Sequence, residues 1–267
     1  KKVFFLTIQL SAFIMNIKEI VQIPYTTSPR FTPIDSVKFK DYLQEAFEER
    51  LNEYNTLLGD MSFESDLAVE KKLVKKTSEA MNEPFQDGSF SEPYADIVEM
   101  GLEIPDDVII MHKGKVEAAF VAMASSWNPR TVQGKTLEEV HQPVADNEML
   151  LRASDGIWRS MTSGKSFHRH VWGISPLKSL SNHPRHKKPE FKNLDDLYFR
   201  IEHERTLTVD EDTAAFFIDV EVLPLTTIFH LKHEYRDLIK DSINSMSENL
   251  LAYKNLEEVK EMINGTT

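Results

Sequence analysis

The sequence contains no cysteine among its 267 residues. This absence excludes disulfide bonds, thiolate nucleophiles, cysteine-ligated iron–sulfur clusters and cysteine-type zinc sites together. Any metal or haem must therefore be held by His, Tyr, Met or carboxylate side chains. The nine histidines are the main resource for such chemistry, and six of them fall between His141 and His203.

A long apolar run is also missing. The stretch from Val3 to Met15 is broken by three polar residues, and it is too short and too polar to span a bilayer. It resembles a poor signal peptide without an obvious cleavage site. We interpret residues 1–14 as a translated leader that precedes a start at Met15, and residues 1–20 as a leader or disordered N-terminus.

Positive charge is in the minority. The 43 acidic and 31 basic side chains give a formal net charge of −12. Such a charge repels nucleic-acid phosphates and anionic membrane surfaces. We therefore expect no nucleic-acid partner and no membrane partner. The absence of cysteine is compatible with a reducing compartment, and we expect a cytoplasmic location.

Hydrophobic periodicity predicts helices at both ends of the chain and strands between them. Spacing of three to four residues predicts helices, whereas alternation predicts strands. The predicted helices cover 36–58, 65–81 and 228–263, and the predicted strands form a 107–124 hairpin and single strands over 167–174, 197–207 and 214–223. We expect an α+β fold with a five-stranded antiparallel sheet, flanking helices and extra N- and C-terminal helices.

Sequence motifs of the common catalytic classes are absent. There is no glycine-rich phosphate loop, nucleophile elbow, HExxH or paired zinc-ligand motif. The pair His230 and His233 is spaced to share a helix face, and the pair His183 and His186 lies in a lysine-rich loop. We interpret both pairs as exposed surface rather than metal sites.

His141 differs from those pairs, because it ends the predicted helix TLEEVH directly before Gln142-Pro143. A proline-fixed turn holds the imidazole rigidly and can aim it into a core. The competing interpretation is a histidine that caps the last carbonyls of the helix.

The strand FHRHVWGISP alternates so that His168, His170 and Trp172 share one face and Arg169 shares the other with Val171. Charges within strands usually face solvent. Alternation also places Arg200 and Glu202 together, so a cavity over that face would turn them into a functional cluster.

Four blocks resemble one family, with their order and spacing kept over residues 20–260. They are WNPRTVQGKTLEEVHQPVADNE, FHRHVWGISP, YFRIEHERTL with AAFFIDVEVLPL, and LLAYKNL. The family is that of the haem-dependent oxidative N-demethylase-like proteins. The resemblance implies a PAS-like sheet that encloses haem b, within a single domain over residues 21–265 with an N-terminal helical extension.

The resemblance also implies an activity and its partners. Dimethylamine, or a similar small alkylamine, would be oxidised with O₂ and release formaldehyde. Electrons would come from NADPH through flavin and a [2Fe–2S] centre, and tetrahydrofolate would be associated with a partner subunit. Because the chain has no cysteine, we expect the iron–sulfur centre to lie on a separate reductase subunit.

The family's H-x-P-V block falls on His141, which the resemblance makes the axial ligand of haem iron, with His170 as the alternative. A neutral imidazole leaves iron able to bind O₂. The R-x-x-W pattern falls on Arg169 and Trp172. The resemblance implies that His170 and Trp172 line the haem pocket.

The R-x-E pattern falls on Arg200 and Glu202, the expected catalytic pair. Arg169 or Arg200 would hold a haem propionate, since a guanidinium binds carboxylates bidentately. Glu202 would hold an alkylammonium substrate near bound O₂.

Four residues depart from the family's pattern. Glu204 and Arg205 stand where Gln and Thr are common, and Asp219 and Glu221 stand in a strand that commonly carries Arg or His. These departures leave two alternatives to the oxygenase. One is a haem-binding gas or redox sensor or carrier without turnover, and the other is a domain that binds no haem.

Overall fold

A computed structural model describes residues 17–40, 44–64, 66–82 and 93–265. The interpretation of residues 1–14 as a leader lies outside these ranges. Within them, every helix is too short or too polar to cross a bilayer.

The centre of the fold is an antiparallel sheet of seven strands in the order β1-β5-β6-β7-β3-β4-β2. The expectation of five strands is therefore wrong in number, although all five predicted strands are present. The strands are β1 (Thr32–Ile34), β2 (Ser62–Glu64), β3 (Asp107–His112), β4 (Lys115–Phe120), β5 (Ser166–Ser175), β6 (Tyr198–Asp210) and β7 (Thr213–Pro224).

The two additional strands lie at the sheet edges. Strand β1 pairs with β5, and β2 pairs with β4. Each has only three residues, which is too short for alternation to be recognised in a sequence.

The predicted hairpin is confirmed as β3 and β4. Its turn residues Lys113 and Gly114 have φ values of 50° and 78°. A two-residue turn with both φ values positive matches the right-handed twist of the strands it joins, and glycine adopts the second value without strain.

The helices surround this sheet. Helices α1 to α3 precede β3, α4 and α5 lie between β4 and β5, and α6 to α9 follow β7. Their bounds are α1 (Gln44–Leu57), α2 (Leu67–Asn82), α3 (Ile97–Glu103), α4 (Leu137–His141), α5 (Glu148–Met161), α6 (Leu225–Leu231), α7 (His233–Asn244), α8 (Glu248–Lys254) and α9 (Glu257–Gly265).

The prediction of a helix over 36–58 is wrong at its start. Residues 36–40 form neither helix nor strand. Val37 is buried, and Phe39 packs edge-on against Phe217 with ring centroids 5.0 Å apart. A spacing of two residues places both side chains on one face of an extended chain, whereas in a helix they would point to opposite sides.

Two apolar clusters hold the layers together. The larger joins α2, α3 and α5 to β3, β4 and β7. The smaller joins α6 to α9 to the end of β5 and the start of β6, with Trp172 stacked on Phe199 at 5.4 Å. Ile17, Ile20 and Val21 also pack in the smaller cluster.

A buried ion pair ties the helical N-terminal part to the sheet. Arg50 of α1 is 1% exposed, and its Nη1 donates to Asp107 Oδ1 at 3.0 Å. Its remaining donors reach the carbonyls of Gly101 and Asp106. Asp107 in turn accepts from the backbone N–H groups of Ala122 and Met123. One guanidinium therefore connects α1, α3, β3 and the chain after β4.

We expect Arg50→Met to lower the free energy of unfolding by about 3–5 kcal/mol, because it leaves a buried carboxylate without its counter-charge. Urea denaturation followed by circular dichroism measures this change. The control is Lys72→Met on the exposed face of α2, for which a change of about 0.5 kcal/mol or less is expected. Equal midpoints for the two variants would contradict a structural role for the Arg50 pair.

Candidate functional site

A cavity of about 470 Å³ lies between the sheet and helices α4 and α5. Small-molecule and cofactor sites have volumes of about 300–1,000 Å³ and mainly apolar walls. Its apolar lining includes Ile109, Met111, Val116, Phe216 and Ile218 from the sheet, and Val140, Val144, Leu150, Ile157 and Met161 from the helical side.

The polar part of the cavity wall comes from strands β5 and β6. In the antiparallel register Arg169 lies opposite Glu204, and Val171 lies opposite Glu202. These four residues also line the cavity, together with His141 and Arg200. Arg200 and Glu202, which alternation predicts to share a face, both line this cavity.

His141 is the last residue of α4, and its ring is held in one tautomer. The helix begins with a capping box between Thr136 and Glu139. His141 Nδ1 lies 2.7 Å from the carbonyl oxygen of Leu137, and because a carbonyl only accepts, Nδ1 must carry the proton. Nε2 then has a free lone pair, and it has no hydrogen-bond partner among the described residues.

Burial lowers the pKa of His141, and the nearby positive charge of Arg169 lowers it further. The imidazole is therefore held in its neutral form. A neutral imidazole that donates Nδ1–H to a backbone carbonyl is the usual arrangement of a metal-ligating histidine. The same contact agrees with the expected capping role, so the two interpretations of His141 are compatible.

Arg169 is held by a carboxylate on the neighbouring strand. Its Nε and Nη2 donate to the two oxygens of Glu204, and its Cζ lies 5.6 Å from the centre of the Phe31 ring. Burial alone would lower the pKa of Arg169, but the Glu204 carboxylate raises it. The guanidinium is therefore charged, and Nη1 is the nitrogen without a hydrogen-bond partner among the described residues.

Glu202 belongs to a separate group of contacts. Ser125 Oγ donates to Glu202 Oε1 and accepts from Arg200 Nε. The other two nitrogens of Arg200 donate to the carbonyls of Leu180 and Met123, so its nearest approach to Glu202 Oε1 is 4.0 Å.

Burial raises the pKa of Glu202, despite the opposing effect of Arg200. A carboxyl that keeps its proton to higher pH in an apolar cavity is a candidate acid or base. The contribution of Ser125 was not predicted, and no motif in the sequence indicates it.

His170 and Trp172 also border the cavity, but their rings make contacts on the other face of the sheet. His170 Nδ1 lies 3.0 Å from His203 Nδ1, and the His170 ring contacts His168 edge-on. Trp172 stacks on Phe199 in the smaller apolar cluster.

Three of the four residues that depart from the family's pattern also lie on that other face. Arg205 pairs with buried Asp106, whereas Asp219 and Glu221 both pair with Lys40. Only Glu204 lines the cavity.

The two histidine pairs that were expected to be exposed differ in their exposure to solvent. His230 and His233 are exposed, as predicted. His183 is only 1% exposed, so that prediction is wrong for it. The loop packs against α1, where His186 Nε2 lies 2.8 Å from Glu53 Oε2.

We expect Glu202→Gln to gain stability relative to the wild type as pH rises. The folded-state pKa of Glu202 lies above its ordinary value of 4.5, so the unfolded chain releases this proton first and the wild type loses stability above that pH. Glutamine carries no charge and keeps an acceptor for Ser125.

The measurement is urea unfolding at about pH 4 and about pH 8, beside the control Glu138→Gln on the exposed face of α4. A Glu202→Gln variant that loses stability with rising pH relative to the wild type would show that the native site favours the charged carboxylate.

A protein-family model described as haem-dependent oxidative N-demethylase, alpha subunit-like, matches residues 29–264. The match includes the cavity walls formed by α4, α5 and strands β5 to β7. No curated protein matches the chain.

Proposed function

We propose a function from one premise: the chain belongs to the family of haem-dependent oxidative N-demethylase, alpha subunit-like proteins. The family's description names haem dependence and an oxidative reaction. Its alpha-subunit designation supports a multi-subunit oxygenase. We propose that this chain binds haem b in the cavity and removes a methyl group from a small alkylamine such as dimethylamine.

The proposed reaction consumes one O₂ and one pair of electrons from NADPH. Dimethylamine, O₂, NADPH and a proton give methylamine, formaldehyde, NADP⁺ and water. A C–H bond next to nitrogen is oxidised, the C–N bond then breaks, and the second oxygen atom leaves as water. We propose that a separate reductase with flavin and [2Fe–2S] delivers the electrons in the cytoplasm, and that tetrahydrofolate on a partner subunit takes up the formaldehyde.

His141 is the observation that carries the proposal. Its Nδ1–H is tied to the Leu137 carbonyl and its Nε2 is free at an apolar cavity. This donor set and cavity fit a haem group, whose iron His141 Nε2 would hold. Haem would supply O₂ binding and activation. We favour His141 over His170, because His170 contacts His203 and His168 on the other face.

We propose that Arg169 holds a haem propionate. It lines the cavity close enough to lower the pKa of His141. Its Nη1 is available beside the nitrogens that bind Glu204. The donors of Arg200 are directed at Ser125 and two carbonyls, which supports a role in positioning Ser125 and Glu202.

We propose that Glu202 binds the alkylammonium substrate and then takes its proton. An amine must lose that proton before the nitrogen lone pair can assist oxidation of the neighbouring carbon. Burial raises the pKa of the Glu202 carboxyl towards that of the amine, which favours the transfer. The apolar walls keep competing water away from the pair.

We also propose a PAS-like fold and a single domain over residues 21–265. Strands β3 to β7 support them, because these five strands form a contiguous antiparallel sheet in which the first, β3, and the last, β7, are neighbours. Helices cover both faces of that sheet, as a sheet that encloses a flat cofactor requires.

We expect protein expressed with a haem precursor to show a Soret band and one haem per chain in the pyridine haemochrome assay. His141→Ala should lose the band or shift it strongly, because iron loses its axial nitrogen. The matched control is His233→Ala, whose side chain is 91% exposed. A Soret band that survives unchanged in His141→Ala and disappears in His170→Ala would assign the ligand to His170, and no band in the wild type would overturn haem binding.

We expect the reductase-coupled wild type to release formaldehyde from dimethylamine, and Glu202→Gln to lower kcat/KM by about 30-fold or more, since it removes one partner of a buried charge pair. The Soret band of the variant should be unchanged. Below the pKa of Glu202 the wild-type rate should fall, because the protonated carboxyl no longer holds an ammonium. A full Soret band without formaldehyde from any small amine would favour the sensor or carrier.

A further inference from the structure

The face of the sheet opposite the cavity carries a second polar cluster, formed by His203 of β6 with Asp219 and Glu221 of β7. His203 and Asp219 are direct partners in the antiparallel register. Glu221 is two residues further along β7 and so lies on the same face. One ligand atom from each residue lies within 4.8 Å of the other two. The proposed oxygenase function does not use this cluster.

The distances in the cluster suit a small divalent metal ion. Zinc binds histidine nitrogen and carboxylate oxygen at about 2.0–2.2 Å in tetrahedral geometry, so two ligand atoms of one ion lie about 3.4 Å apart. His203 Nε2 lies 3.4 Å from Glu221 Oε2. One imidazole with two carboxylates leaves the fourth position for water, and this ligand set suits zinc-class transition metals.

A second histidine contacts the Nδ1 atom of His203. His170 lies opposite it on β5, and the two Nδ1 atoms are 3.0 Å apart. One of the two must donate. When His203 Nδ1–H is the donor, Nε2 keeps its lone pair on the side of Glu221 and is the ligand atom.

Two of the ligand atoms, His203 Nε2 and Asp219 Oδ2, are shielded from water. His203 Nε2 has negligible exposure and no well-aligned hydrogen-bond partner among the described residues. Asp219 is 9% exposed. His203 Nε2 lies 3.4 Å from Glu221 Oε2, and an imidazole lone pair so close to a carboxylate oxygen needs a proton or a metal ion between the two acceptors.

Lys40 supplies a positive charge beside the two carboxylates in the structure. Its Nζ lies 2.6 Å from Asp219 Oδ2 and also pairs with Glu221. The side chain is 49% exposed and belongs to a segment with neither helix nor strand. The lysine side chain can therefore turn into solvent when another cation takes its place beside the two carboxylates.

We propose that His203, Asp219 and Glu221 form a binding site for one zinc-class divalent metal ion, which replaces the Lys40 ammonium when it binds. The site lies on the opposite face of the strands that line the haem cavity and shares no ligand with it. It therefore does not depend on the proposed oxygenase function.

The test is zinc binding to the purified full chain, stripped of other metals with chelator and assayed whether or not it carries haem. Isothermal titration and equilibrium dialysis should give one Zn²⁺ per chain. His203→Ala and Asp219→Asn should each abolish this binding while circular dichroism and the Soret band stay unchanged. Lys40→Ala should bind Zn²⁺ about tenfold or more tightly, since the competing ammonium is gone.

The matched control is the double variant His230→Ala with His233→Ala, which removes an exposed histidine pair and should bind Zn²⁺ like the wild type. Uptake that is the same in the wild type and in His203→Ala would overturn the proposal. So would the absence of binding in both the wild type and Lys40→Ala. Because zinc content and haem content are measured separately, failure of this site is distinguishable from failure of the haem site.

Discussion

The alternation of side chains along β5, β6 and β7 is the constraint on which the rest of the structure depends. Successive residues of β6 point to opposite faces, so Glu202 and Glu204 line the cavity while His203 lies on the far side. A register slip of one residue would exchange the two sets. The Arg169–Glu204 pair and the Trp172–Phe199 stack oppose such a slip, because each joins β5 to β6 on a different face.

Charge pairing decides which buried groups are available for chemistry. Arg50, Arg169 and Arg205 each face a carboxylate directly, since an isolated charge in such surroundings would cost several kcal/mol. Arg200 is different, because Ser125 and two carbonyls take its donors and Glu202 stays 4.0 Å away. Glu202 is therefore buried with only partial compensation. Burial in the cavity wall is what raises the pKa of Glu202.

The sequence predicted the long elements well, because alternation and helical spacing are local. Strands β3 to β7 and helix α2 agree with their predicted spans to within a few residues. The side of the sheet that holds the cavity could not be predicted, since helices cover both faces. The two-residue alternation of a strand shows only that Arg169 and His170 lie on opposite faces, not which face has the cavity. Ser125 and Lys40 were missed, because they meet β6 and β7 across 77 and 181 residues of chain.

The polar groups on the two faces of β6 differ in how their charges are balanced. On the cavity side, Arg169 is neutralised by a permanent partner, Glu204. The opposite side contains two carboxylates that share a half-exposed lysine, a partner that another cation can replace. The backbone of β6 links the two sides, but its hydrogen bonds to β5 and β7 fix the strand. An ion bound on one side would therefore act on the other through its charge rather than through movement of the sheet.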